Sequence, residues 1–259
     1  ESGNWVGSLS NIQGSSGYWV KANNGCLLEF EGYQVENMYQ LYSGANLISF
    51  PHPGSMQITD AIPNLAEGYF EGIIGQGVAA SQISPQIWVG SLSSFQGSDG
   101  YWAKLNYPID SLSFILPDDV FVRELQQLTY NPYEYTQSTQ QAFYFIEEIK
   151  DVDIELGDWV LAYNGNTLVG AREWVGAYTD IPAMGYMDES TENYCRPGDT
   201  PRFVIEKSLK GEIIELDGTI PAWENNMLFN MILSPSETYI PNEYEVSVAY
   251  PNPFNPVTS

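Results

Sequence analysis

The 259-residue chain is long enough for two ordinary domains, and its 43% of apolar residues suffice to bury sizeable cores. Nine Lys and Arg residues against 33 Asp and Glu give a formal net charge of −24, a field that repels phosphate backbones and anionic membrane surfaces. Nucleic acid is therefore not an expected partner, and membrane insertion is not expected either, because no apolar run approaches the roughly 20 residues of a membrane helix.

The composition predicts an all-β protein. Only 16% of the residues are charged, while Ser, Thr, Asn, Gln, Gly and Tyr are plentiful, a balance typical of exposed, β-rich extracellular proteins. In an oxidising space the two cysteines, Cys26 and Cys195, either form one disulfide or remain separate thiols. Their distance along the chain favours separate thiols.

The chain opens on one copy of an internal repeat. "WVGSLSNIQGSSGYWVK" (5–21) matches "WVGSLSSFQGSDGYWAK" (88–104) at 13 of 17 positions, with an offset of 83 residues. Residues 1–36 are thus predicted to be the C-terminal part of a first β-repeat and 37–118 a complete second one, in a chain cut from a larger protein. Small β-modules of this kind stack or pair through apolar faces, so self-association through the repeats is expected.

Short strands are predicted throughout the second repeat, at "NLISF", "GYFEGIIGQGVAAS", "QIWVGSL" and "GYWAKL", with one short helix at "MQITDAIPNL". Exposed tryptophans stack on sugar rings, which makes Trp19 and Trp102 candidates for a sugar platform. Both lie inside alternating apolar runs and recur with their neighbours, so core positions are favoured for them.

These motifs are similar to those of a known group of modules. "NLISFP", "IIGQGVAAS", "WVGSLSSF" and "GYWAK" resemble surface modules repeated near the C-termini of large secreted proteins of Bacteroidota and related marine phyla. The resemblance covers about residues 1–117 and implies a secreted, cell-surface location without implying any activity.

Residues 119–236 lack the repeat and are predicted to form a β-sandwich. "GDWVLAY" and "TLVGAREW" flank Asn164-Gly165, a pair that favours a type I′ hairpin turn. "TPRFVIEKS", "GEIIELDG" and "NNMLFNMILS" supply further strands. The predicted core side chains are Trp159, Leu161, Val169, Phe203, Ile205 and Leu228. The segments "STQQAFYFIEEI", "YTDIPAMG" and "PAWENN" resemble a module that often follows such repeats and has no assigned role.

The last residues, 237–259, are predicted to be a Pro-rich linker and the truncated start of a sorting domain. "YPNPFNPVTS" resembles the beginning of the C-terminal sorting domain of type IX secretion cargo, with all seven residues of "YPNPFNP" (250–256) matching. The resemblance implies export of the parent protein through that system.

The sequence offers little support for the known catalytic motifs. The single histidine, His52, lies between two prolines in "FPHPG", as a turn residue does, and the Cys and His content supplies no zinc-ligand spacing. Nucleotide-binding and G-x-S-x-G motifs are absent from the sequence. With 33 acidic residues some carboxylate pair will reach glycosidase separation, so a carboxylate-dependent glycoside hydrolase stays as a third alternative. No catalytic residue is predicted.

Two acidic stretches are weighed as calcium sites. The first contains Asp151, Asp153, Glu155 and Asp158, and the second contains Asp188, Glu189, Glu192 and Asp199. Neither follows the order of an EF-hand loop, so a solvated strand edge is the favoured interpretation of the first, with calcium as the only cofactor considered.

The sequence also predicts a carbohydrate-binding face on the second module. Sugar sites combine aromatic rings with amide and carboxylate groups. The candidate ligand-binding residues are Trp174, Trp223, Tyr178, Tyr186, Arg172, Glu173, Glu224, Asn225 and Asn226. The alternative is that Trp174 and Trp223 cap the sandwich.

The sequence therefore predicts a non-catalytic extracellular surface or binding region with polysaccharide or other cell-surface components as ligand. The alternative is a structural spacer or assembly module, as in an adhesin or surface layer, without a small ligand. Burial of the tryptophans favours the alternative.

Overall fold

A computed structural model describes residues 7–12, 16–20, 37–97, 99–117 and 131–236. It confirms the predicted all-β class, since helical structure in the described part is limited to single short turns. No helix among these residues has the length and apolar character to span a membrane. The predicted linker and sorting-domain start (237–259) and Cys26 lie outside the described residues.

Residues 37–117, the repeat module, form small antiparallel sheets. Its strands are β1 (Tyr39–Leu41), β2 (Gly44–Ser49), β3 (Ser55–Gln57), β4 (Phe70–Ile74), β5 (Ala79–Ser84), β6 (Ile87–Val89), β7 (Ser94–Gln96), β8 (Gly100–Leu105) and β9 (Ile109–Leu112). One sheet has the order β2-β8-β4-β5-β6, while β1 pairs with β9 and β3 with β7. Aromatic rings fill the core, where Phe50 and Phe95 stack with centroids 5.3 Å apart.

The helix predicted at residues 56–65 is replaced by two single turns, α1 (Ile58–Ala61) and α2 (Asn64–Glu67). Pro63 explains the break. A proline disfavours helical backbone in the residue before it, and Ile62 is extended, with φ −87° and ψ 121°.

Residues 131–236, the second module, form one seven-stranded sheet. Its strands are β10 (Gln141–Ile149), β11 (Trp159–Asn164), β12 (Thr167–Glu173), β13 (Thr179–Met184), β14 (Arg202–Glu206), β15 (Ile213–Gly218) and β16 (Leu228–Pro235), with a 3₁₀ turn at Glu189–Thr191. The order is β12-β11-β14-β15-β16-β10-β13, and the two end strands lie against each other, so the sheet is nearly closed. All pairings are antiparallel except that of β10 with β16, which is parallel.

The hairpin at β11 and β12 is confirmed, but its turn differs from the predicted type. Asn164 pairs with Thr167, so the two loop residues are Gly165 and Asn166. Gly165 has φ 57°, whereas neither Asn164 nor Asn166 has a positive φ. A type I′ turn needs two positive φ angles, and one at the first loop position matches type II′.

The interior of the sheet is an apolar core around Tyr144 and Phe203, whose ring centroids are 5.1 Å apart. Of the predicted core residues, Val169, Phe203 and Ile205 lie in this interior. Leu161 is buried on the outer face of the sheet, while Trp159 and Leu228 are half-buried outside the main core. Alternate residues of each strand face opposite sides of the sheet, as the pleat requires, so only one of the two sets faces this core.

Candidate functional site

Trp174 and Trp223, the aromatic centre of the predicted ligand face, are core side chains. They are 7% and 2% exposed and belong to the interior cluster of the second module. The indole Nε1–H of Trp223 donates a hydrogen bond to the carbonyl of Ala183 at 2.9 Å. A sugar ring needs a free aromatic face, so these two rings do not offer the predicted platform, and the alternative of capping the sheet describes them correctly.

The polar residues predicted beside them serve the backbone. The Asn225 side-chain oxygen accepts a hydrogen bond from the amide of Gln141 at 3.0 Å, and the amide of Asn226 donates to the Gln141 carbonyl at 2.8 Å. Both residues therefore anchor the start of β10. Glu173 is half-buried at the end of β12, and Glu224 is exposed.

Tyr186 keeps 37% of its surface exposed, but the guanidinium of Arg196 lies 3.8 Å from its ring centroid. That cation covers one ring face by a cation–π contact. Because Trp174, Trp223 and Asn226 are buried, the nine predicted ligand residues do not share one exposed surface.

Arg172 and Tyr178 instead lie where the repeat module and the second module meet. The Arg172 Nη2 group donates to the Gly77 carbonyl of the repeat module at 2.7 Å and forms an ion pair with Asp180 Oδ2 at 3.2 Å. From the other side the Ser91 hydroxyl donates to the same Asp180 oxygen at 2.7 Å. Asp180 is 1% exposed, and burial raises the pKa of its carboxyl group, while Arg172 and Ser91 oppose that rise.

Apolar side chains from both modules complete this interface. Ile74 and Ala79 of the repeat module pack with Phe143 and Phe145 of β10, and all four are at most 1% exposed. Val89, Trp102, Tyr178 and Leu228 pack around them. The Gln141 side chain adds a buried hydrogen bond of 2.9 Å to the Gly75 carbonyl.

The sequence carries a signal for this interface in β10. Residues 141–146, "QAFYFI", are buried at every position, because Ala142, Tyr144 and Ile146 face the interior of the second module while Phe143 and Phe145 face the repeat module. A strand without alternation is one that is covered on both faces.

A second feature that the sequence analysis missed is an open groove of about 670 Å³ on the second module. Its lining residues are Asn131, Tyr133, Glu134, Tyr135, Thr136, Gln137, Thr167, Leu168 and Tyr194. Tyr133 packs on Trp159, with ring centroids 5.1 Å apart, and the Tyr194 hydroxyl accepts a hydrogen bond from the amide of Thr136 at 2.7 Å. The tyrosine-rich stretch "YNPYEY" (130–135) is the feature of the sequence that could have indicated this groove.

The groove offers aromatic surface, amides and hydroxyls, with Glu134 as the one carboxylate among its lining residues. Burial and the neighbouring Glu206 raise the pKa of the Tyr133 hydroxyl, which keeps that group protonated and able to donate. Aromatic rings, amides and hydroxyls of this kind can stack on a sugar ring and hydrogen-bond to its hydroxyl groups.

The first predicted calcium stretch is arranged around an ion pair. The Asp158 carboxylate accepts hydrogen bonds of 3.0 Å from Lys207 Nζ and from the amides of Glu155 and Ser208. Asp151, Asp153 and Glu155 are exposed, and within the described residues no group of three His, Cys, Asp or Glu side chains is placed to hold a metal ion. Calcium binding stays a prediction.

Two further side chains with potential reactivity are His52, which is hydrogen-bonded, and Cys195, which is buried. The His52 ring nitrogen Nδ1 accepts a hydrogen bond from the Gly54 amide at 3.0 Å, as expected of a turn histidine. Cys195 is a buried free thiol whose pKa is raised to about 12, chiefly by burial and also by Asp199, so little nucleophilic thiolate forms at neutral pH.

Comparison of the chain with protein-family models, with curated proteins and with solved structures finds no match.

Proposed function

We propose that this chain is a non-catalytic structural segment of a secreted multimodular protein, in which the repeat module and the second module are held together as one rigid spacer. The observation that carries the proposal is the interface between the modules. It buries an ion pair, a polar network and an apolar cluster to which both modules contribute equally.

Such an interface suits a spacer because modules joined only by a flexible linker move independently. The Arg172 guanidinium spans the boundary, since it bonds both to Asp180 of its own module and to the Gly77 carbonyl of the other. Separation of the modules would expose the apolar cluster of Ile74, Ala79, Phe143 and Phe145 to water, so it is disfavoured. Removal of Arg172 alone would leave the buried Asp180 carboxylate without its cation, which is strongly destabilising. The resemblance of the repeats to modules of secreted surface proteins supports the extracellular location.

The test is differential scanning calorimetry of the full chain and of its Arg172→Met variant. We expect the wild type to unfold in one transition and the variant to unfold in two, because the modules lose their coupling. Arg202→Met is the matched control. Arg202 lies outside the interface and forms an exposed ion pair with Glu215, with an N–O distance of 2.8 Å. Two independent transitions in the wild type would contradict the spacer proposal.

The tyrosine-lined groove favours a second candidate function, the binding of a neutral polysaccharide. Tyrosine rings present apolar surface to pyranose faces, and the amides of Asn131 and Gln137 are suited to sugar hydroxyls. The net charge of −24 disfavours acidic glycans.

This candidate is tested by isothermal titration calorimetry with soluble neutral and acidic polysaccharides. We expect saturable binding of a neutral polymer that Tyr133→Ala weakens at least tenfold. Tyr107→Ala is the control, because Tyr107 is 65% exposed on the repeat module, outside the groove. Equal weakening by both substitutions, or none by Tyr133→Ala, would remove the groove as the binding site.

A further inference from the structure

The outer edge of β2 is occupied by part of the first repeat. Ser16 forms an antiparallel bridge with Ile48, and the Gly17 amide donates a hydrogen bond to the Leu47 carbonyl at 3.2 Å. On its other edge β2 pairs with β8, where Ile48 lies opposite Tyr101. The two flanking segments are equivalent in sequence, "SGYWV" (16–20) and "DGYWA" (99–103). β2 is therefore flanked on both edges by the same motif, one from each repeat.

Gly17 fits this edge because it has no side chain. It is buried, whereas Trp19 and Val20 beside it are exposed. A Cβ atom at Gly17 would lie 2.7 Å from the Ile48 carbonyl oxygen and 2.9 Å from Leu47 Cγ, closer than real Cβ contacts. Its φ is not positive, so the glycine is required by the close approach of two main chains and not by its own backbone conformation.

The described residues of the first copy, 7–12 and 16–20, lack the apolar burial that fixes their counterparts. Leu9, Ile12 and Val20 are 65%, 65% and 68% exposed. Their equivalents in the complete repeat, Leu92, Phe95 and Ala103, are 5%, 0% and 0% exposed. The main-chain contact at Ser16 and Gly17 consequently carries more of the attachment of the first copy.

We propose that the outer edge of β2 is an acceptor for the Gly-Tyr-Trp strand of another copy of this repeat, so that successive repeats are joined by strand addition. An edge strand presents a row of main-chain donors and acceptors, and added strands bind through them. The glycine makes the joint selective, because any larger residue at that position collides with β2. The inference deepens the proposed structural role and rests on it, since it identifies the joint between neighbouring repeats.

The test uses the full chain, its Gly17→Val variant and a fluorescent peptide with the sequence of residues 13–21, followed by fluorescence anisotropy. We expect the peptide to bind the Gly17→Val chain, whose edge is vacated, at least tenfold more tightly than the wild type. Ser10→Val is the matched control, because it places the same side chain at an exposed position of the same segment. A second peptide, in which valine replaces the glycine that precedes tyrosine, should bind none of the three chains.

A folded Gly17→Val chain that does not bind the peptide, or equal binding by all three chains, would overturn the proposal. Hydrogen exchange of the wild type provides a second measurement that needs no variant. The Gly17 amide should exchange at least tenfold more slowly than the amides of Leu9 and Ile12. Equal exchange rates would also overturn the proposal. Neither result depends on the coupling of the repeat module to the second module, so the two proposals fail separately.

Discussion

Glu67 is buried completely in the repeat module, and the hydrogen bonds that it accepts among the described residues come from uncharged groups. The donors are the Gln82 side chain, the Gln86 amide at 2.9 Å and the Trp88 indole at 3.2 Å. Gln86 has φ 65°, in the left-handed region that non-glycine residues rarely adopt. The carboxylate thus holds the turn between β5 and β6 in shape.

We predict that Glu67→Gln destabilises the chain by about 1–3 kcal/mol, because the new amide turns a donor toward groups that are themselves donors. Urea denaturation followed by tryptophan fluorescence measures the change. Asp110→Asn is the control, because Asp110 is an exposed carboxylate of the same module. A smaller loss for Glu67→Gln than for the control would show that the carboxylate does not organise the turn.

At the scale of an element, the loop before β11 is tied to the end of β14 by Asp158. Burial opposes ionisation of this carboxyl group, but the amide of Glu155, the ammonium of Lys207 and the amide of Ser208 outweigh it, and the pKa of Asp158 is lowered below its ordinary value of 3.8. A lowered pKa in the folded state means that the unfolded chain binds the proton more readily.

The stability that Asp158 supplies is therefore present above about pH 4 and is lost as the pH falls through its folded pKa. We expect Asp158→Asn to lower the free energy of unfolding at pH 6 and to have a smaller effect at pH 3, as measured by urea denaturation. Asp153→Asn in the same loop serves as the control, because its side chain is exposed. An effect of Asp158→Asn that does not change with pH would contradict the ionic role.

At the scale of the whole molecule, the ion pair of Arg172 and Asp180 makes the junction of the modules sensitive to charge. Burial raises the pKa of Asp180 even though Arg172 opposes the rise, so the folded state binds this proton more readily than the unfolded state does. Loss of Arg172 removes that opposition and enlarges the difference. Stability contributed by protonation grows as the pH falls toward the ordinary value of the group.

We predict that Arg172→Met costs about 3 kcal/mol at pH 7, where it leaves a buried carboxylate without its cation. The cost should shrink at pH 5, because Asp180 takes up a proton in the variant. Urea denaturation at the two pH values measures the difference, and Arg202→Met should cost under about 1 kcal/mol at both. A cost for Arg172→Met that grows at pH 5 would refute the assignment.

The sequence predicted where strands lie better than it predicted what they touch. Runs of aromatic and β-branched residues placed β2, β6, β8 and β14 correctly, because these signals are local. The predicted segment "GYFEGIIGQGVAAS" instead contains all of β4 and only the first half of β5. For Trp174 and Trp223 the sequence left both an exposed ligand face and a buried cap open, because acidic neighbours do not reveal which way a ring points. The structure buries both rings. The parallel pairing of β10 with β16 joins residues about 85 positions apart, as Phe143 and Leu228 do, and no local pattern encodes such a contact.

That parallel pairing has a mechanical consequence. β10 is the first strand of the second module and β16 is its last, and they share six residue pairs from Phe143–Leu228 to Ile149–Leu233. A pull on the two ends of the module draws these neighbouring strands past each other along their common axis. The hydrogen bonds between them are then loaded together in shear, whereas a hairpin pulled at its open end loses them one at a time. A module that is pulled at its two ends gains resistance to extension from this arrangement.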